Sequence, residues 1–335
     1  MKSHELPPPA QLMQFILGRW ISKPIYVAAK LGIADMLADG PKSIDQLATE
    51  SKSHAAFLYR MMRALASVGI FAENEDNRFE LTPMAELLKT GMMRCMPLMF
   101  ESDWSDKAWG CFYDSIKNGS TAFETAHGMP VSDWLEKNSE AARVFNEANA
   151  IKAAGSHRAI LDVYDFSGVS TLVDVGGGIG VLMMQILAAH SSMSGIIVDV
   201  PSVVERAREV IQARGLENRC QATAGNFFES IPSGGDAYLM SNILHDWSDE
   251  QCRLILANCC QAMKAGSKLL VMEMVVPHGN EPSVAKLLDL EMMVTTGGRE
   301  RTEAEFEDLF ESSGLKLSRI IPTKDQVSVI EGIKA

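Results

Sequence analysis

Apolar positions along the chain change their period once. From Gln11 to about Leu37 they recur at helical spacing on more than one face, as LMQFILGRW and then IYVAAKLGIADML. A helix apolar around most of its surface needs neighbours on several sides, either a second subunit or the chain's own core, and the pattern leaves both open. Ser43-Ile-Asp-Gln then opens a short capped helix, and Ser53 opens a longer one, HAAFLYRMMRALASVG, that Gly69 ends. Ile70–Ala72, a polar turn over Glu73–Arg78 and Phe79–Thr82 read as a hairpin. Residues 84–165 read as all-helical, with methionines and aromatics (Trp104, Trp109, Phe123, Trp134, Phe145) at core-like spacing that could also roof a pocket for a planar ligand.

From Ser170 the pattern becomes strand and helix in alternation. Thr171–Val175, Gly195–Asp199, Cys220–Gly225, Asp236–Met240 and Ser267–Val276 are short apolar runs that predict strands, with helices at VLMMQILAAH, Val203–Ala213 and Cys252–Met263 between them. Thr302-Glu-Ala-Glu305 is a capping box opening a further helix, and strands over Leu315–Pro322 and Gln326–Lys334 close the chain. Unbroken apolar strands covered by helices imply a doubly wound, Rossmann-like α/β sheet of seven strands. The expected division is a domain over residues 1–100, and a second over 101–335 made of a helical bridge (101–165) and the sheet core (166–335).

Helix, turn, helix, hairpin is a winged-helix order, so DNA binding must be weighed. A wing that neutralises phosphates should be basic, whereas this one carries Glu73, Glu75, Asp76 and Glu80 against Arg78. We therefore expect a winged-helix scaffold reused for association. The net charge of -12 likewise argues against nucleic acid and against an anionic membrane surface. No apolar run approaches the ~20 residues of a membrane span, and the polar start Met1–Pro9 is unlike a signal peptide. Six cysteines without metal-ligand or disulfide spacing suit reduced thiols in a cytoplasmic protein, with no metal site expected.

Candidate chemistry gathers where strands end, since ligands of open α/β sheets bind outside the strands' carboxyl ends. His245 follows the strand 237–240 directly, and an imidazole suits proton transfer near neutrality, although a histidine there could simply fill a loop. After the first strand comes Gly176-Gly-Gly-Ile-Gly180, with Val181 where the last glycine of a dinucleotide fingerprint would stand. Asp174 before this turn would repel a pyrophosphate and suits a cationic ligand such as the methionine moiety of S-adenosylmethionine. Asp199 ends the second strand, placed for ribose hydroxyls. Glu273 interrupts the apolar run LLVMEMVV and would be costly unless paired; His245 is its natural partner. Glu300, in Gly297-Gly-Arg-Glu-Arg301, reads equally well as a solvated charge.

LVDVGGGIG, IIVDVP, AGNFFESIP, NILHDWSDEQC, LLVMEMVVP and GGRERTEAEFEDLF, in that order, resemble the caffeic-acid-type family of S-adenosylmethionine-dependent O-methyltransferases. The similarity covers nearly the whole chain, including FNEAN and the N-terminal winged-helix domain. It implies a homodimer joined through that domain and methylation of a hydroxyl on a small aromatic or conjugated secondary metabolite. In that reading His245 is the general base, flanked by Glu273 and Glu300. Asp174, Gly176, Gly178, Asp199, Gly225, Asn226, Phe227, Asn242 and Trp247 would form the cofactor site, and Phe145, Asn149, Met292 and Met293 would meet the acceptor. The chain departs from the family pattern at Asn226 (usually Asp), at Ser241 or Asn242 (commonly a cation) and at Asn149 (commonly apolar). These departures keep open non-methylating chemistry on the same fold and N- or C-methylation. A winged-helix regulator and a nicotinamide dehydrogenase are the rivals of other classes.

Overall fold

The computed structural model describes residues 6–334; the reading of Met1–Pro9 as no signal peptide falls largely outside them. The chain divides into two compact units, one of the residues up to Trp109 together with Ser132–Lys152, the other of Gly110–Val131 together with everything from Ala153. The helical bridge expected over 101–165 is thus shared between both.

In the first unit, a capping box of Ser43 and Gln46 starts the helix Ile44–Ser51. The next helix, Ala55–Ser67, starts after His54, one residue beyond the expected Ser53 and without a side-chain cap. Three short strands follow the winged-helix order: β1 (Lys42–Ser43), β2 (Phe71–Glu73) and β3 (Arg78–Leu81), arranged β1-β3-β2. The hairpin turn is closed by Asn74, whose side chain accepts from the N–H groups of Asp76 and Arg78 at 3.1 and 3.0 Å. Leu47, Leu58, Met62, Phe71 and Phe79 form the core beneath. Arg78, the wing's cation, folds inward and donates to the Pro41 carbonyl at 2.8 Å and to Gln46 at 3.1 Å, so it offers little to a phosphate. The helix Pro8–Ile16 buries none of its residues. Phe15 is 82% exposed, and Leu12, Ile16 and Trp20 lie open beside it in sequence.

The second unit holds seven strands: β4 (Thr171–Val175), β5 (Ser194–Asp199), β6 (Cys220–Ala224), β7 (Ala237–Ser241), β8 (Lys268–Glu273), β9 (Leu315–Pro322) and β10 (Ser328–Lys334). Their order is β6-β5-β4-β7-β8-β10-β9. The pairs among β4 to β8 are parallel, and β10 runs antiparallel to both its neighbours. Successive strand residues feed opposite faces: Leu172, Leu239 and Leu270 pack with Ile160, Met183 and Leu187 on one side. Val173, Tyr238 and Leu269 pack with Leu256 and Phe306 on the other. Each such large apolar side chain, fully buried, contributes about 1.5–3 kcal/mol, which is why the strands read as unbroken apolar runs.

Strand β8 stops at Glu273, short of the expected Val276, because Val275 leaves the sheet to bridge Arg301. The helix after β7 spans Asp249–Ala262 and starts earlier than expected, at a capping box of Ser248 and Gln251. Thr302 and Glu305 form the expected box ahead of Glu303–Glu311. The order in which strands are added reverses between β4 and β7, the switch point where a doubly wound sheet opens a crevice. Asp174, Asp199, Ser241 and Glu273 all lie at the carboxyl ends of parallel strands and so at one edge. Among the described residues no helix is long and apolar enough to cross a membrane.

Candidate active site

Asn242 leaves β7 with its N–H still donating to the Met272 carbonyl at 3.1 Å, then turns the chain at φ 53°. Asparagine tolerates this left-handed conformation better than most residues. A single 3-10 turn, Leu244–Asp246, follows and carries His245, which is buried. The Glu273 carboxylate accepts from the backbone N–H of Leu244 at 2.6 Å and of His245 at 3.1 Å. Glu300 meets the imidazole itself, at 2.8 Å from Nδ1.

This revises the expected pairing. Glu273 holds the peptide backbone beneath the histidine, and Glu300, far from being a solvated charge, is 2% exposed and orients the ring. With an ionised Glu300, Nδ1 carries the hydrogen and donates it, leaving Nε2 to take a proton. Burial alone would depress the His245 pKa. The hydrogen bond to Glu300 and the charges of Asp246, Glu273 and Glu300 outweigh it and raise the value to about 9. Burial, reinforced by Glu300, lifts Glu273 to about 7.

The turn Gly297–Arg301 fits beneath this histidine only because of a glycine that sequence reasoning passed over. A Cβ on Gly298 would stand 2.0 Å from the His245 carbonyl oxygen. The Arg299 N–H donates to that same oxygen at 2.9 Å, and the Glu300 N–H is tied to Asp289 at 2.9 Å. Asp289 belongs to the helix Val284–Thr295, which also carries buried Met292 and half-buried Met293. Phe145 lies in the first unit, packed against the cluster of Cys95, Met99 and Ala148, one turn before Asn149 on the helix Ser139–Val163.

At the glycine turn, Gly176, Gly178 and Gly180 all have positive φ. A Cβ on Gly176 would meet Ile243 at 2.5 Å, and one on Gly177, another glycine not singled out from sequence, would meet the Asp174 carboxylate at 2.6 Å. At Gly178 nothing lies within 4 Å. Asp199 accepts from the N–H of Gly178 at 2.8 Å and of Val200 at 2.7 Å, so it shapes the turn while keeping lone pairs for further donors. Asp174 is 1% exposed and its Oδ1 has no hydrogen-bond partner. Burial, with Asp199 nearby, pushes its pKa up to about 7. An orphaned buried carboxylate beside an open glycine turn fits an ammonium-bearing ligand, which would supply the missing donor and charge.

Phe227, Phe228 and Trp247 form an aromatic group further along the edge, Phe228 lying 4.9 Å from Phe227 and 4.8 Å from Trp247. Phe228 sits between the two aromatics expected there, and the doubled phenylalanine was the available signal. Asn226, after Gly225, is exposed; it accepts from the Phe228 N–H and donates to Glu229, both at 3.0 Å. Among the described residues no group of three or more His, Cys, Asp or Glu side chains is placed to hold a metal ion.

Comparison with known proteins agrees with this layout. An O-methyltransferase domain model matches residues 109–316, and an O-methyltransferase dimerisation domain model matches residues 13–91. The chain is 42% identical to phenazine O-methyltransferase PhzM of Lysobacter antibioticus, over 96% of this chain and 94% of that protein. It is 30% identical to phenazine-1-carboxylate N-methyltransferase of Pseudomonas aeruginosa over the full length of both. The solved structure of the mitomycin 7-O-methyltransferase MmcR superposes with a TM-score of 0.92 at 32% identity, covering 98% of each chain. That of an O-methyltransferase from neocarzinostatin biosynthesis, in complex with S-adenosylmethionine and 2-hydroxy-5-methyl naphthoic acid, gives 0.82 at 29%, covering 94% of this chain and 96% of that one. With a Rossmann-like sheet, a dimerisation domain and a carboxylate-edged glycine turn all in place, the chain belongs to the O-methyltransferase family: it is a methyltransferase whose cofactor is S-adenosylmethionine.

Proposed function

We propose that this enzyme methylates a hydroxyl on a planar, polycyclic aromatic acceptor of the phenazine type, with His245 as the general base. The observation that carries the reading is the buried His245–Glu300 pair, which leaves Nε2 as the ring atom able to take a proton. The bound cofactor supplies an electrophilic methyl group on a sulfonium whose departure as a neutral thioether needs no acid. The protein's own work is then to bind, align and deprotonate. Asp174 pairs with the ammonium of the methionine moiety, Asp199 with the ribose, and Gly176 and Gly178 let the backbone approach closely. Gly225, Asn226, Phe227, Asn242 and Trp247 complete that site. Met292 and Met293 offer polarisable contacts to a flat ring. A phenol of pKa ~10 lies within reach of this base, and a positioned base accelerates such a step by roughly 10²–10⁴-fold.

We assign the region 1–100 to homodimer formation and 101–335 to catalysis. The open apolar side chains of Pro8–Ile16 support the first assignment, and we place the enzyme in the cytoplasm. The test is His245→Ala with S-adenosylmethionine and 1-hydroxyphenazine. Wild-type enzyme should add one methyl group, with S-adenosylhomocysteine formed in equal amount. The variant should lose turnover by about 10²-fold or more while still binding S-adenosylhomocysteine. A second reading, N-methylation, is favoured by the Pseudomonas relative. A ring nitrogen without a proton needs no base, so phenazine-1-carboxylate methylated equally well by wild type and His245→Ala would decide for it.

A further inference from the structure

We propose that Arg301 is a positioning residue for the base: it grips the carbonyls on either side of His245 and thereby keeps the imidazole on Glu300. The proposal rests on the reading of His245 as base and goes beyond it to what aims that base. Arg301 is 1% exposed, an expensive place for a cation. Its Nη1 donates to the Leu244 carbonyl at 2.9 Å and its Nη2 to the Trp247 carbonyl at 3.0 Å. Both Nε and Nη2 reach Asp249 Oδ1, at 3.1 and 2.8 Å, and Nη2 approaches Cys252 Sγ at 3.4 Å.

Every donor aimed at the turn thus meets an acceptor whose loss would leave a buried polar group unsatisfied. From the opposite side Glu273 accepts from the N–H groups of Leu244 and His245. A buried cation holds the turn by its carbonyls, and a buried anion holds it by its amides. The backbone carrying His245 is thus held from both its amide and its carbonyl groups, which fixes the point from which the ring reaches Glu300. Gly298 lets the arginine's own segment press against the turn, and Glu300 is the residue next to Arg301, so one rigid loop delivers both the ring's partner and the backbone clamp. Asp249, 39% exposed at its side chain, anchors the guanidinium from the neighbouring helix start.

The test reads the ring directly and needs no acceptor. Histidine ring protons are titrated by NMR in wild type, Arg301→Met, Arg301→Lys and Asp249→Asn, with His245→Ala to assign the resonance. The charged groups facing His245 in this loop are Asp246, Glu273 and Glu300, with Arg301 behind the turn. Deleting a nearby cation by itself would raise the His245 pKa. Release of the ring from Glu300 would lower it from about 9 toward the ordinary range. For the Arg301 variants the sign of the shift therefore decides, whereas Asp249→Asn removes a carboxylate and lowers the pKa by charge alone. We expect a fall of at least one pH unit in Arg301→Met, a smaller fall in Asp249→Asn, and partial recovery in Arg301→Lys. S-adenosylhomocysteine affinity measured by calorimetry should stay within about threefold in the two milder variants, and Arg301→Lys carries the test if Arg301→Met does not fold. A titration at or above the wild-type value in Arg301→Met, or in Arg301→Lys should Arg301→Met not fold, overturns the proposal. His245→Ala that keeps full turnover overturns the base reading instead, and with it any catalytic purpose for the clamp.

Discussion

The glycine turn after β4 and the histidine turn after β7 leave adjacent strands at one edge of one sheet, yet they are held by opposite means. The first owes its shape to missing side chains: Cβ atoms at 176, 177 and 180 would collide with Ile243, Asp174 and Ile197. It carries an unsatisfied carboxylate and open space at Gly178. In the second, two amides, two carbonyls and the ring each meet a buried charged partner, although one oxygen of Glu273 and one of Glu300 are themselves without a hydrogen bond. The first turn leaves open space beside its free carboxylate oxygen, whereas the second commits one oxygen of each glutamate to the backbone or ring that carries the base. The difference separates binding from orientation within one crevice.

Gly298→Ala should break the second turn most severely. Its neighbours are backbone atoms at 2.0–2.8 Å, which cannot yield as a flexible side chain can. We expect turnover to fall about 100-fold or more and stability by about 3 kcal/mol, read by methyl transfer and thermal melts. Glu300→Gln should come next, costing roughly 10-fold or more in kcat/KM. Because a base acts in its neutral form, activity rises with pH through the base's pKa. Removing the partner that raises His245 to about 9 should move this acid limb to lower pH. Glu273→Gln keeps an oxygen for both N–H groups and should cost less, the reverse of what their order of burial in sequence suggests.

Asp174→Asn sharpens the contrast from the other turn. The folded carboxyl, raised to about 7 against an ordinary value near 3.8, binds more protons than the unfolded one between those values. Ligand-free stability should therefore fall as pH rises through that window, and the Asn variant should flatten the slope by about 1–3 kcal/mol. Its affinity for S-adenosylhomocysteine should drop as well. Gly178→Ala is the mildest. Its Cβ meets nothing, so only the left-handed φ of 58° remains to cost about 1 kcal/mol. A larger stability loss would mean that this turn, too, is closed by packing.

Most of the sheet was legible because β4, β5, β7 and β8 are buried on both faces, and that requirement writes itself into sequence as apolar runs. The capping box at Thr302 and the acidic wing were equally plain. The partners of the two glutamates were not. An acid in an apolar run announces that it needs a partner, but backbone N–H groups leave no mark in sequence, so Glu273 was matched to the ring. Glu300 stands between two arginines, the usual look of a solvated stretch, and only the placement of Gly298 against the His245 carbonyl takes it inside. Strand β8 was read three residues too long because Val275 and Val276 are as apolar as the strand, although they pair with Arg301 instead.

The histidine turn is also held from far along the chain. Its three holders come later in the chain: Glu273 lies 29 residues and Arg301 57 residues after Leu244, and Glu300 55 residues after His245. β10, which pairs with β8 along its whole length, comes later still. Without those later residues the histidine turn has no carboxylate to hold its amides or orient its ring. The site is therefore closed by contacts of long sequence separation, which form slowly.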